Sequence, residues 1–232
     1  MLFDAGETLL RPEPSFPELI VKLLEARGLE VPNRDPDWVN RALASVFRAM
    51  DDLLVGEQKL FSTSAERSRA FWTKLYTQLL AELGVVDADA GHATYLYDEF
   101  SKPEHYALFP DAMPALRELA ATGYTLGIVS NFEAWLVRLL ERLEVLPLMS
   151  VVVVSGIEGI EKPDPDIFLR ALKQLDAAPE RAVYVGDNPR IDIEPALALG
   201  MGAVLVDRRG VHTGFTASHV VRSLEQVPAV IR

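Results

Sequence analysis

The sequence predicts an α/β fold in which a doubly wound, Rossmann-like parallel sheet core carries an inserted all-helical cap domain. Two observations lead to this prediction. After residue 103, short apolar segments alternate with helical segments of about ten residues, a pattern typical of parallel strands joined by right-handed crossovers. Between residues 12 and 102, apolar residues recur at helical spacing and β-branched runs are missing. We therefore expect a core of residues 1–11 and 103–232 and a helical cap of residues 12–102.

The first core strand and the cap helices are predicted from local patterns. Met1 to Asp4 is a short apolar run that ends in an acid, and Gly6 follows in a turn. In the cap, repeated apolar faces predict four helices, and Gly28 and Gly84 indicate the ends of the first and the third. The faces comprise Phe16, Leu19, Ile20, Leu23 and Leu24; Trp38, Ala42 and Val46; Phe71, Leu75, Leu79 and Leu80; and Tyr95, Leu96 and Phe100.

The remaining core elements alternate along the chain. Four consecutive valines at 151–154 are typical of a strand that is buried on both faces. Gly200 indicates the end of the last predicted helix. The predicted helices span residues 112–121, 135–143, 167–175 and 193–199, and the predicted strands span residues 124–129, 151–154, 182–185 and 203–206.

Composition excludes several classes of function. The 232 residues include 23 Lys and Arg against 34 Asp and Glu, a formal net charge of −11, which disfavours a nucleic-acid partner. No cysteine is present, so a metal would need oxygen or imidazole ligands. The N-terminus lacks signal-peptide features and no apolar stretch reaches membrane-spanning length. We expect a cytoplasmic protein without a membrane partner, either a monomer or a homodimer.

Polar residues stand where each central strand is predicted to end. The first strand ends at Asp4, the second at Ser130-Asn131, and the fourth at Gly186-Asp187. The third ends at Ser155-Gly156, and Lys162 lies in the loop that follows. Ligands of open parallel sheets bind beyond the carboxyl ends of the strands. We therefore expect these side chains to converge at one edge of the sheet.

Each of these residues, taken alone, also has an ordinary structural interpretation. Asp4 is compatible with a turn, and Ser130-Asn131 and Asp187-Asn188 with helix caps or loops. Lys162 is compatible with a solvated loop lysine. Their occurrence in order, on the correct strand ends, favours a shared site over four coincidences.

The residue types at this edge fit phosphoryl transfer through a covalent carboxylate. An aspartate such as Asp4 can attack phosphorus, which splits a difficult hydrolysis into two easier steps. Asp4 and Asp187 supply the hard oxygen ligands that suit Mg²⁺, which separates the carboxylate from the anionic phosphate. Ser130 and Lys162 would hold the phosphoryl oxygens. Asp192 can act as a second acid, either in the water shell of the metal or in orienting the lysine.

Four motifs contain these residues: Phe3 to Leu9 (FDAGETL), Gly127 to Asn131 (GIVSN), Glu161 to Phe168 (EKPDPDIF) and Val185 to Asp192 (VGDNPRID). With these motifs, the sequence resembles the haloacid dehalogenase (HAD)-like hydrolase superfamily, in the subgroup with a helical (C1-type) cap after the first motif. The resemblance implies that Asp4 is the nucleophile, that Ser130 and Lys162 bind phosphate, and that Asp4, the main-chain carbonyl of Gly6 and Asp187 bind Mg²⁺. We also expect Asn131 to contact the phosphate and Asp192 to belong to the metal site.

One departure from the family pattern bears on catalysis. Family phosphatases carry a second aspartate two positions after the nucleophile, where this sequence has Gly6. Losing a positioned general acid–base costs about 10²- to 10⁴-fold in rate. Glu7 is the neighbouring carboxyl, and two interpretations stay open for it: a substitute acid, or a residue of the loop.

The resemblance implies a Mg²⁺-dependent phosphohydrolase that acts on a small phosphorylated metabolite, which the cap selects. Three alternatives stay open. Cleavage of a carbon–halogen bond needs no metal, and those relatives lack the Gly-Asp pair that is present here as Gly186-Asp187. Cleavage of a carbon–phosphorus bond needs a cap lysine that nothing in the sequence marks. A phosphate-binding relative with weak or no turnover would explain Gly6.

Overall fold

The computed structural model describes residues 1–33, 35–55, 60–86, 90–212 and 219–231. The chain divides into two compact units, one formed by Met1–Arg11 and Ala107–Arg232 and the other by Pro12–Tyr106. Within the described ranges, every helix is too short or too polar to cross a membrane. The division into domains at residues 12 and 102 stays a prediction.

The core unit contains the parallel sheet that the sequence predicts. Six of the described strands form it, in the order β5-β4-β1-β6-β7-β8, and the paired strands run parallel. The predicted α/β fold class is confirmed. The strands are Leu2–Phe3 (β1), Leu10–Pro12 (β2), Tyr106–Leu108 (β3), Leu126–Ser130 (β4), Met149–Val154 (β5), Val183–Gly186 (β6), Gly202–Val206 (β7) and His219–Val221 (β8). Strands β2 and β3 form a separate two-stranded sheet.

Helices occupy the predicted stretches between the strands. The loop after β6 contains a π-helical segment, Pro189–Ile193, that leads directly into the following helix. The α-helices are Phe16–Ala26 (α1), Pro36–Val55 (α2), Ala65–Glu82 (α3), Gly91–Phe100 (α4), Ala112–Ala121 (α5), Leu136–Arg142 (α6), Ser155–Glu158 (α7), Pro165–Gln174 (α8), Glu194–Ala198 (α9) and Val227–Val230 (α10).

The hydrophobic core of the first unit fixes the central strands. Helix α8 begins at Pro165 after Asp164, whose side chain accepts a hydrogen bond from the Asp166 amide. Its apolar residues at helical spacing, including Ile167 and Phe168, belong to the same buried cluster as the inward-facing residues of the strands. The strand members of this cluster are Leu2, Val129, Val151, Val153, Tyr184, Ala203 and Leu205.

The second unit is helical in its described part, as the sequence predicts. Helix α1 is capped by Ser15, whose hydroxyl oxygen accepts a hydrogen bond from the Glu18 amide, and Gly28 takes a positive φ just after its end. The predicted apolar faces of α1, α3 and α4 pack into one buried cluster. Its fully buried members include Leu19, Ile20, Leu24, Leu75, Leu80, Ala93 and Leu96.

Some elements were not predicted. Strand β8 and helix α10 lie in the last part of the chain, where no element was predicted. Strand β5 ends at Val154, and Ser155 opens the one-turn helix α7 instead of closing the strand. Ser155-Gly156 thus directly follows the end of the strand, where the sequence predicts it, and the short helix was not predicted.

Candidate active site

Asp4 lies at the carboxyl end of the central strand β1. In the sheet register, Phe3 is opposite Ile128 of β4 on one side and Val185 of β6 on the other. The Asp4 amide donates a hydrogen bond of 2.9 Å to the Val185 carbonyl, so the main chain is held in the sheet up to this residue. The strand order thus brings Asp4 between the ends of β4 and β6, where the other polar motifs follow.

Lys162 is the cation of the site. Its side chain is almost completely buried. Its Nζ atom donates to Asp4 Oδ1 at 2.6 Å, to Asp192 Oδ1 at 2.6 Å and to the Tyr184 hydroxyl at 3.0 Å. Burial acts to lower the pKa of Lys162, but the carboxylates of Asp192 and Asp4 outweigh it and raise the pKa above its usual value. The ammonium therefore stays charged, and all three of its hydrogens have acceptors.

The end of β4 contributes two side chains with different partners. The Ser130 hydroxyl, which is buried, donates to Asp4 Oδ1 at 3.0 Å. The Asn131 side chain forms a pair of hydrogen bonds with the main chain of Lys162, accepting from its amide at 2.6 Å and donating to its carbonyl at 2.8 Å. Asn131 thus fixes the loop that carries Lys162, and the phosphate contact expected of it stays a prediction.

Three carboxylates meet at the ends of β1 and β6. Asp4, Asp187 and Asp192 each offer an oxygen, and these oxygens lie within 4.8 Å of one another. Asp187 Oδ1 accepts a hydrogen bond of 3.3 Å from the Thr8 hydroxyl. Asp192 uses one oxygen for Lys162 and accepts from the Asn188 amide at 3.0 Å with the other. The structure therefore brings together the acids that the sequence singled out.

Gly186 makes room for one of these acids. A Cβ atom built on Gly186 would lie 2.5 Å from Asp192 Oδ2 and 2.6 Å from Asp192 Cγ, closer than Cβ contacts occur in proteins. Because glycine has no side chain, Asp192 can pack against the strand end and reach Lys162. The position of Asp192 thus explains why the first residue of the Gly186-Asp187 pair is a glycine.

The carboxylates outnumber the cation. Burial raises the pKa of Asp187 well above its usual range, and the charges of Asp192, Asp4 and Glu7 add to this, while Lys162 acts in the opposite direction. Burial likewise raises the pKa of Asp192 to about 6, against the influence of Lys162. A further positive charge beside Asp4, Asp187 and Asp192 would stabilise the ionised carboxylates.

Gly6 and Glu7 lie in the turn after Asp4. A Cβ atom at Gly6 would meet no other atom of the described structure within 4 Å. Glu7 takes a positive φ of 54°, and its amide donates to the Leu10 carbonyl at 2.8 Å. Burial and Asp4 raise the pKa of Glu7, whereas Arg209, Arg208 and Arg11 act to lower it. Glu7 therefore shares the electrostatic environment of the site.

Two site residues escaped prediction. Tyr184 accepts from Lys162 and donates to the Val129 carbonyl at 2.6 Å, and burial raises the pKa of its phenol well above the usual range. The sequence feature that could have predicted it is the Tyr184 hydroxyl within an apolar strand, because a buried hydroxyl needs a hydrogen-bond partner. Thr8 belongs to the first motif, but no role was predicted for it.

The Ser155 hydroxyl forms no hydrogen bond with Asp4 or Lys162 in the described structure. It accepts from the amide of Phe132 and donates to the carbonyl of the same residue, and so holds that loop.

A parallel sheet with a helical insert, and an aspartate that contacts a lysine beside two further carboxylates at the strand ends, define an α/β protein with an acidic site. A family model described as haloacid dehalogenase-like hydrolase matches residues 1–200. The chain belongs to this family, as the resemblance of its motifs implies, and it is a hydrolase of the haloacid dehalogenase superfamily.

Individual relatives extend over most of the chain. Over 234 residues it is 28% identical to haloacid dehalogenase-like hydrolase domain-containing protein 3 of Danio rerio, covering 99% of this chain and 94% of that protein. Over 156 residues it is 34% identical to phosphoserine phosphatase of Thermus thermophilus, covering 64% and 61%. The magnesium-bound crystal structure of YfnB from Bacillus subtilis superposes with a TM-score of 0.77 at 18% identity, covering 100% and 97%. The last comparison concerns the fold.

Proposed function

We propose that this protein is a phosphohydrolase that acts on a small phosphorylated metabolite through a phosphoryl-enzyme on Asp4. The observation that carries the proposal is the position of the Asp4 carboxylate, which is held at Oδ1 by Lys162 and Ser130 and lies beside Asp187. The similarity to an enzyme named phosphoserine phosphatase supports the same class of reaction.

The reaction follows from the residues at the strand ends. A carboxylate oxygen of Asp4 attacks phosphorus, and the bond from phosphorus to the leaving-group oxygen breaks, with its electron pair remaining on that oxygen. Water then attacks phosphorus and the bond from phosphorus to the Asp4 oxygen breaks, which releases inorganic phosphate and restores the Asp4 carboxylate. The proton that this water loses balances the one that the leaving-group oxygen takes up from solvent. We assign to Lys162 and Ser130, which both contact Asp4 Oδ1, the role of donors to the phosphoryl oxygens, and to Asn131 a supporting phosphate contact.

The donor set at this position fits a hard divalent cation. Three carboxylates with oxygens within 4.8 Å of one another face a single ammonium, and burial makes the ionised forms of Asp187 and Asp192 costly. Asp4, Asp187 and the main-chain carbonyl of Gly6 would hold the cation, and Asp192 would contribute through the water shell of the metal. When bound, Mg²⁺ supplies the positive charge that lets a carboxylate approach an anionic phosphate.

Gly6 favours a second candidate function, that of a phosphate-binding relative with weak turnover. At this position there is no side chain to protonate a leaving alcohol. Leaving groups of low pKa, such as acyl or aryl phosphates, need less of this help. The two functions differ in turnover and agree on the ligand.

The test is release of inorganic phosphate from a panel of alkyl, aryl and acyl phosphates with added Mg²⁺. Asp4→Asn is the matched control, since it keeps the size of the side chain and removes the nucleophile. We expect the native protein to exceed Asp4→Asn by at least about 10²-fold on its best substrate. Equal rates for the two proteins would overturn the proposal. Chloride release from 2-haloacids in EDTA would instead indicate cleavage of a carbon–halogen bond.

A further inference from the structure

Arg208 connects three segments of the core unit. It lies just after β7, beyond the residues that the family model matches. Its two terminal nitrogens form a fork with Asp111, at 2.8 Å and 3.0 Å. One of them, Nη2, also donates to the main-chain carbonyl of Thr8 at 2.8 Å. The guanidinium carbon lies 3.8 Å from the centre of the Phe109 ring, so the group is held by stacking as well as by hydrogen bonds.

Asp111, the partner of Arg208 in the fork, is itself held by further hydrogen bonds. Its Oδ2 atom also accepts from the Ser223 hydroxyl and from the Leu224 amide, each at 2.8 Å. Asp111 is therefore tied to the start of α5 by its own main chain and to the segment after β8 by these bonds. A forked pair with a fully engaged carboxylate leaves the guanidinium little freedom to move.

Thr8 carries the connection into the site. Its carbonyl accepts from Arg208, and its hydroxyl donates to Asp187 Oδ1 at 3.3 Å. The residue is completely buried. The turn around it is held by hydrogen bonds from the Leu9 and Leu10 amides to the Ala5 carbonyl. A displacement of the Thr8 main chain would therefore move the hydroxyl that contacts Asp187.

We propose that Arg208 is a positioning residue of the cation site, which acts by fixing Thr8 so that the Thr8 hydroxyl orients the Asp187 carboxylate. The inference rests on the proposed function, in which Asp187 is a ligand of the divalent cation. Groups that hydrogen-bond to metal ligands fix their orientation, and their loss typically weakens metal binding by about 10- to 100-fold. Arginine suits the position because a lysine ammonium cannot form the fork with Asp111 and reach Thr8 in the same way.

The test measures binding of Mg²⁺ alone to the full chain by isothermal titration calorimetry, without substrate. We expect Arg208→Met and Thr8→Val each to raise the Kd for Mg²⁺ by about tenfold or more. Because both act through one contact with Asp187, the double variant should bind about as weakly as the weaker single variant, and not with the product of the two losses. The matched control is Arg138→Met, which removes the same charge at an exposed position of helix α6 and should bind Mg²⁺ like the native protein.

A purely structural brace would change stability and leave the Kd for Mg²⁺ unchanged. Native-like Mg²⁺ binding by Arg208→Met would therefore overturn the inference and leave the proposed function standing. Multiplicative losses in the double variant would also overturn it. If the native protein itself bound no Mg²⁺, or bound it as well after Asp187→Asn, the proposed cation site would fail as well. Should Arg208→Met not fold, Arg208→Lys keeps a cation beside Asp111 and carries the same expectation.

Discussion

The Lys162 ammonium donates a 2.6 Å hydrogen bond to Asp4 Oδ1, across 158 positions of the chain. Both side chains are almost entirely buried, and Lys162 also donates to Asp192 Oδ1 at 2.6 Å, so one ammonium compensates the charge of two carboxylates. Such pairs contribute little net stability, but removing one partner leaves the other as a buried charge without compensation, which lowers stability. The contact therefore links folding to the proposed chemistry, and it makes Lys162 a residue whose loss has two separable effects.

Replacing Lys162 by Met should lower the free energy of unfolding by about 3–5 kcal/mol, because it leaves buried carboxylates without their cation. Urea denaturation measures this loss. The matched control is Lys162→Met combined with Asp192→Asn, which removes the charge of one stranded carboxylate and should recover part of the stability without recovering activity. A double variant that is as unstable as Lys162→Met would contradict the electrostatic explanation.

Replacing Gly186 by Ala should displace Asp192 from Lys162, because the added Cβ atom would lie 2.5 Å from Asp192 Oδ2. We expect a loss of about 1–3 kcal/mol in the free energy of unfolding, as for other overpacked cores, together with reduced phosphatase activity. Gly6→Ala is the matched control, since its Cβ atom would meet no described atom within 4 Å, and its stability should change by less than about 0.5 kcal/mol. Equal stability of the two variants would count against the steric explanation.

The sequence was sufficient to predict the sheet and the convergence of the site, for a physical reason. In a parallel sheet the carboxyl ends of the strands share one edge, so the residue after each apolar run is placed by topology alone. Asp4, Ser130 and Asp187 could be assigned in this way. The prediction that Asp192 orients the lysine or serves the metal was left open because both require coordinates, and the structure shows the contact with Lys162 directly.

What the sequence could not provide were short elements and pairwise contacts. Strand β8 has three residues and helix α10 has four, which is fewer than any periodicity needs to become visible. Tyr184 occurs in an apolar strand, where a tyrosine can serve packing or hydrogen bonding, and only its neighbours decide between them. Likewise, nothing in the pattern distinguishes Arg208 from the adjacent Arg209 until the partner Asp111 is known.

Tyr184→Phe removes one hydroxyl that is an acceptor for Lys162 and a donor to the Val129 carbonyl. The ring keeps its place against Phe168, whose centre lies 5.0 Å away. We expect a loss of about 1–3 kcal/mol in the free energy of unfolding, since two buried polar groups lose a partner. Phe168→Leu is a useful comparison because it changes packing on the same ring and leaves the hydroxyl in place. A native-like stability of Tyr184→Phe would show that water or another group satisfies Lys162.

Asp111 should make stability depend on acid. Burial acts to raise the pKa of this carboxyl, but hydrogen bonds from Arg208, the Leu224 amide and Ser223 outweigh it and lower the pKa. A carboxyl with a lowered pKa in the folded state stabilises the protein above its unfolded pKa of about 3.9. This contribution is lost as the pH falls through the folded pKa.

The advantage of the native protein over Asp111→Asn in the free energy of unfolding should therefore be largest near neutral pH and shrink below about pH 4. Urea denaturation at several pH values measures it. Glu118→Gln, at an exposed position of the same helix α5, is the control and should show little difference at any pH. A constant gap between the native protein and Asp111→Asn down to low pH would refute the assignment.

Gly6→Asp tests which of the two candidate functions the present sequence serves. The position has room for a side chain, since a Cβ atom there would meet no described atom within 4 Å, so the substitution should fold. If the rest of the machinery is competent, a carboxyl two residues after Asp4 should raise the rate of phosphate release from alkyl phosphates by about 10²- to 10⁴-fold. Aryl phosphates, whose leaving groups need less protonation, should gain less. Gly6→Asn is the matched control, because it adds nearly the same volume without an acid and should give no such gain. Unchanged rates in a folded Gly6→Asp protein would mean that a missing acid does not limit this enzyme. In that case Glu7 would be the candidate acid, and Glu7→Gln should abolish the turnover of the native protein.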